Sequence, residues 1–299
     1  MKRMGKHGRR ALVVMLLVAG GATQAANAQS RVNLIAWTPR KLTNGSPVLF
    51  RLLAPKGVES ISGTCLGHTF RFFRQGHSGS WYALAGVPFE AVPGTYTLRV
   101  EEITAHGRTL EIQKQLAVAR ASYPKIPVKV ATQFTKPSPR QLAVIAQDKD
   151  AKEKVFQVVS RERLWSGPFV APQSARVSDV FGTERVFNHQ VESRHQGLDY
   201  AVPAGSPVRA INSGTVLLAR PMFFEGNFLV VDHGQGLLSL YLHLSGFKVK
   251  EGDQVRSGEI IALSGGTGRA TGPHLHLAIR WQGVYLDPAV LLKLPIPPG

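Results

Sequence analysis

Gly272-Pro273-His274-Leu275-His276-Leu277 is the stretch on which the fold turns. In a strand, side chains alternate, so His274 and His276 face one side, about 7 Å apart at roughly 3.4 Å per residue. Leu275 and Leu277 then face the other side, towards a core. Two imidazoles on one face, backed by leucines, are wasteful as core packing. A hydrolytic zinc site takes three protein ligands plus a water, so one histidine could bind metal while the other addresses the water. The surrounding sequence, from 166 to about 293, has the same β character: short strands, many glycines and no helical periodicity of useful length. Within it, Ala204-Gly205-Ser206-Pro207-Val208 before Gly214-Thr215-Val216 is echoed by Glu251-Gly252-Asp253-Gln254-Val255 before Gly258-Glu259-Ile260. That spacing suits a compact antiparallel sheet whose turns recur on one edge. It also occurs in lipoyl and biotinyl carriers, but Lys248 and Lys250 lack the hairpin-tip setting a carrier lysine needs.

Two more motifs lie upstream: His195-Gln196-Gly197-Leu198-Asp199 and Tyr241-Leu242-His243-Leu244-Ser245. A fully extended chain would separate His195 from Asp199 by about 13.6 Å, too far for both to reach one ion at about 2 Å. The chain must therefore bend at Gln196-Gly197, which glycine permits, before a strand begins at Leu198. Each motif alone is weak. Together, in order, in the 82 residues from His195 to His276, they form a strong signal. Tyr241, two residues before His243, shares its strand face and either lines a cleft or packs. His233 reads as structural in a hairpin turn, while Asn188 and His189 lie in a loop before the first motif. The Gly265–Gly272 loop reads as a flexible wall, and it lacks the Gly-Lys-Ser/Thr ending of a nucleotide phosphate loop.

This array resembles the lysostaphin-like, or LytM-type, zinc endopeptidases of the bacterial cell wall. The matching residues run through Val177-Ser178-Asp179-Val180-Phe181-Gly182, His195 to Asp199, Val230-Val231-Asp232-His233-Gly234, Tyr241 to Ser245, and Gly265-Gly266-Thr267-Gly268 to His276. The resemblance covers about residues 175 to 290. It implies a Zn2+ ion on His195, Asp199 and His276, with His243 and His274 as catalytic histidines. It also implies hydrolysis of peptide cross-links in peptidoglycan. Which histidine acts as general base stays open. Leu277-Ala278 stands where the family commonly has Phe-Glu, at positions that are not ligands. The rival within the same fold is a non-catalytic wall-binding activator of other hydrolases; such relatives tend to lose ligands, and all five residues are kept here.

The remainder of the chain frames this domain. Residues 1–28 read as a signal peptide: Lys2, Arg3, Lys6, Arg9 and Arg10 precede the apolar Ala11–Ala22, and Ala26-Asn27-Ala28 supplies the small residues for cleavage. Twelve apolar residues are too few for the roughly 20 of a spanning helix, so no transmembrane anchor is expected after cleavage, and the product should be periplasmic or secreted. Residues 29–120, with short aromatic and branched runs between turn signals, read as an immunoglobulin-like β-sandwich. Residues 121–165 read as a linker with a connecting helix from Ser138 to Arg163, Ser138 as N-cap and Pro139 at N1. Residues 166–299 are the antiparallel β-sheet metallopeptidase domain, so the fold class is mainly all-β. Removing the five leader cations from the net charge of +17 leaves +12. In an exported protein that points to anionic cell-wall or outer-membrane polymers and away from nucleic acid. The single cysteine, Cys65, excludes an intrachain disulfide and reads as a buried thiol.

Overall fold

Period-two alternation builds the first half of the molecule. Along Gly94–Thr104, Leu98 and Val100 are buried while Arg99 and Glu101 face solvent. The computed structural model describes residues 34–298 apart from 77–78, 129–130, 135 and 188–189. The leader expected at 1–28, and Asn188 and His189, lie outside the described residues. Four strands, Ile35–Thr38, Pro47–Leu53, Ser80–Gly86 and Phe73–Arg74, pair in that order. A second sheet orders Leu42–Thr43, Thr109–Ala119, Gly94–Thr104, Val58–Cys65 and His68–Arg71. Phe50 of the first stacks on Phe70 of the second at 5.4 Å between ring centres. Cys65 is buried, and its surroundings push the thiol pKa up to about 11 through burial.

The connecting helix spans Pro139–Phe156. Ser138 caps it in both directions with Gln141, a capping box with Pro at the first helical position. The helix stops well before Arg163, where the sequence suggested it would end. The reason is tertiary: the chain beyond Phe156 is drawn against the 233–236 turn. Gln235 N–H donates to Ser160 O and Leu164 N–H to His233 O. Gly234 permits this approach, since a Cβ there would lie 1.8 Å from Glu162 O.

The second half is built around an antiparallel sheet of eight strands. Along the sheet run Val177–Asp179, Leu198–Tyr200, Leu275–Trp281, Leu237–Leu244, Gly226–Asp232, Gly214–Met222 and Gln254–Val255, while Val284–Leu286 folds back on Leu275–Trp281. Leu275, Leu277 and Ile279 enter the main core with Leu229, Val231 and Tyr241. On the opposite face Leu240, Val230, Phe228 and Ala278 make a second cluster, roofed by Ala151, Val155 and Phe156 of the helix. Two departures from the expected pattern occur. Lys125–Val128 of the linker pairs parallel with Glu184–Phe187, and a one-turn helix, Pro288–Leu291, is capped by Asp287 near the C-terminus. That tail locks the halves together: Asp287 N–H donates to Gly45 O, and Leu286 sits so close to Gly86 that a Cβ there would lie 2.5 Å from it. Among the described residues no helix is long and apolar enough to cross a membrane.

Candidate metal centre

Asp199 and His276 stand directly opposite each other on paired antiparallel strands, a position that brings side chains of one face into contact. His195 reaches them because the chain bends at Gly197 before the Leu198–Tyr200 strand. Glycine is required at the bend by close approach: a Cβ on Gly197 would lie 2.5 Å from the His276 ring and 2.5 Å from Leu277 O. The three donors form a tight triangle. His195 Nε2 is 3.0 Å from Asp199 Oδ1 and 2.9 Å from His276 Nδ1, and His276 Nδ1 is 2.8 Å from Asp199 Oδ1.

This triangle fits a cation on chemical grounds. The second nitrogen of His195, Nδ1, lies 2.8 Å from Val180 O, so the neutral ring donates there and turns a bare Nε2 lone pair inward. That lone pair meets a carboxylate oxygen and a second imidazole nitrogen in a buried pocket with, at most, one proton to share. Bonds of about 2.0–2.1 Å to a tetrahedral ion would put donors about 3.3 Å apart, within a few tenths of an ångström of what is found. Two imidazole nitrogens and one carboxylate oxygen are a donor set suited to zinc. Electrostatics agree. Burial alone would raise Asp199, but the adjoining His195 and His276 rings hold its pKa well below the usual carboxylate range. Burial lowers His276 to about 4, against the pull of Asp199, which keeps the ring neutral and able to ligate.

His243 and His274 complete the pocket, their rings 4.8 Å apart. Each donates from Nδ1 to a carbonyl, His243 to Thr267 O and His274 to Gly272 O, both at 2.8 Å. Each therefore turns its Nε2 away from that anchor, and that of His274 lies 4.0 Å from Asp199 Oδ1. Burial and the neighbouring His276 and His274 lower His243 to about 3. His243 does not share a face with Tyr241. Strict alternation would send both into the core, and Tyr241 does go there, bonded through its hydroxyl to Ile211 N and Ser239. His243 adopts φ +60°, beside a shift of register in the pairing of Gly226–Asp232 with Leu237–Leu244, and this turns its ring out to the pocket. The Gly265–Gly272 loop is tied down rather than loose. Thr267 Oγ1 accepts from Asn227 N and donates to Leu244 O. His233 is structural: fully buried, it bonds Ser213 O and Ser239 Oγ.

Two cavities of about 210 and 340 Å³ flank the pocket, and Arg185, His243 and Arg269 line both. Sequence reasoning did not single out Arg185. Its Nη2 lies 2.6 Å from Asp199 Oδ2 and 2.7 Å from Asp179 Oδ2. Asp179 falls inside a recognised motif, whereas no spacing marked Arg185, which reaches the ligand only through the fold.

Residues 193–288 match peptidase family M23. The chain is 36% identical over 151 residues to the peptidoglycan DD-endopeptidase ShyA of Vibrio cholerae, covering 50% of this chain and 32% of that protein. It is 45% identical over 122 residues to the DD-carboxypeptidase/endopeptidase Mpg of Neisseria meningitidis, covering 41% and 28%. The match thus spans about a third of the length of these curated relatives. A solved structure of a putative peptidase M23 from Pseudomonas aeruginosa superposes with a TM-score of 0.62 at 28% identity, over 82% of this chain and 92% of that one. Motif order, donor triangle and sheet all agree with that match: residues 193–288 carry a peptidase family M23 domain.

Proposed function

We propose that this protein is a zinc-dependent endopeptidase that hydrolyses peptide cross-links of bacterial peptidoglycan. The observation that carries the reading is the meeting of His195, Asp199 and His276, whose donor atoms all lie within 4.8 Å of one another, beside two further imidazoles. Zinc, when bound there, supplies Lewis-acid polarisation of the scissile carbonyl and acidification of the attacking water.

The protein's own groups do the rest. Val180 O fixes the His195 ring so that Nε2 faces inward. Thr267 O and Gly272 O do the same for His243 and His274, leaving two Nε2 atoms turned towards the pocket. The pair takes the proton of the water and returns one to the leaving amine. A protonated imidazole beside the tetrahedral oxyanion also stabilises it. Rigid backbone anchors at both rings keep the pair preorganised.

We read residues 1–28 as a signal for export, 29–120 as an immunoglobulin-like sandwich, 121–165 as linker and 166–299 as the catalytic domain. The net charge of +12 without the leader suits attraction to anionic envelope polymers. The test is mass spectrometry of muropeptides released from isolated sacculi. Wild type should convert cross-linked dimers to monomers and His276→Ala should not; identical profiles would sink the proposal.

A further inference from the structure

A carboxylate can offer a metal one oxygen or two, and Asp199 is arranged to offer one. Oδ1 faces the triangle, 3.0 Å from His195 Nε2 and 2.8 Å from His276 Nδ1. Oδ2 is occupied at 2.6 Å by Arg185 Nη2. Arg185 has little freedom of its own, because its Nε and Nη2 both donate to Asp179 Oδ2, at 3.1 and 2.7 Å. Asp179 is anchored in turn: its Oδ1 accepts from Val180 N at 2.9 Å. The same Val180 accepts His195 Nδ1 through its carbonyl. One residue of the 177–182 segment thus fixes two ligands, one directly and one through Asp179 and Arg185. All the charged groups of the relay are largely withdrawn from solvent, with side-chain exposures of 23% for Arg185, 13% for Asp179 and 8% for Asp199.

We propose that Arg185, braced by Asp179, is a positioning residue that restricts Asp199 to one-oxygen ligation and so keeps a coordination position open for water and substrate. The inference rests on the reading of the triad as a zinc site. Charge does not explain the arrangement as well as geometry does. A lone arginine beside a cation site would repel the ion, but Arg185 is neutralised by Asp179, so the pair brings direction with little net field. Nε and Nη2 together on Asp179 fix the plane in which Nη2 meets Asp199, a directional constraint that the ammonium of lysine lacks.

The experiment is visible absorption of the full chain loaded with Co2+ in place of zinc, with zinc affinity measured by competition against a chromophoric chelator. Wild type should give the intense visible bands of four-coordinate cobalt. Arg185→Gln frees Asp199 Oδ2, so those bands should weaken towards a five-coordinate spectrum, and zinc affinity should fall by roughly 10- to 100-fold. Arg185→Lys should fail to restore the wild-type spectrum, and Asp179→Asn should shift it the same way, less far. Asp179→Asn keeps the volume and Arg185, so it supplies the reading if Arg185→Gln does not fold, as judged by melting in chelator. A wild type that binds neither ion overturns the metal reading itself. Variants with the wild-type spectrum and affinity overturn the positioning role alone. An altered KM for peptide with an unchanged spectrum would make Arg185 a substrate-binding group and overturn it too.

Discussion

At Gly197 the whole centre depends on an absent methyl group. A Cβ 2.5 Å from both the His276 ring and Leu277 O has no room, because the second contact is backbone in the middle of a sheet. Gly197→Ala should cost about 1–3 kcal/mol of stability and displace His276; a chain that keeps both its melting temperature and its zinc content would contradict this. His243 poses the reverse case, a side chain in a left-handed conformation that glycine tolerates better. Both His243→Gly and His243→Ala should be inactive, yet the glycine variant should be more stable by about 1 kcal/mol, read from urea midpoints. Equal midpoints would mean that the backbone relaxes when the imidazole goes. The five candidate site residues were legible because each stands in a short local motif, and the bend at Gly197 followed from arithmetic on chain length. Arg185 and the outward turn of His243 were not. The first depends on which strands become neighbours, the second on a break in strand alternation that no periodicity announces.

Elements obey local rules until a neighbour competes for their backbone. The helix begins where its cap says, and Ser138→Ala should cost about 0.5–2 kcal/mol, with loss of helical signal on mild heating. It ends early because Ser160 to Leu164 find partners in the 233–236 turn, a contact invisible to propensity. That turn holds His233, whose neutral form is enforced by complete burial, which lowers it to about 4. The unfolded chain protonates the same imidazole near 6.5, so between these values only the unfolded state gains the proton. Stability contributed by this group is therefore full above pH 6.5 and is lost as pH falls towards 4, by roughly 3 kcal/mol at most. Urea midpoints at pH 7 and pH 5, in chelator, should fall further for wild type than for His233→Gln. The same pH dependence in both chains would place the effect on other groups.

Over the whole molecule, the two N-terminal sheets and the eight-stranded sheet act as one body because aromatic and backbone contacts cross between them. Phe89 packs edge-on to Phe181 with ring centres 4.9 Å apart, and beside Tyr123 at 5.4 Å; Tyr123 hydroxyl donates to Asn44 O. Phe181 adjoins Val180, so this seam backs the segment that orients His195. Phe89→Ala should lower stability by about 3–5 kcal/mol and, unlike most cavities made so far from a site, also weaken zinc binding. Unchanged metal affinity in a destabilised chain would uncouple the seam from the centre. The sequence announced two β halves through their separate turn patterns, but nothing in either half announced the seam, since its residues look like ordinary core in isolation.

The C-terminal tail carries a practical consequence. Because Leu286 nests in the notch at Gly86 and Asp287 bonds Gly45, a shortened chain starting near residue 166 would surrender its last strand's shelter and present a sticky apolar strip to water. Such a fragment should aggregate on expression, and adding polar substitutions at Leu286 and Phe181 should rescue its solubility more readily than changing its buffer.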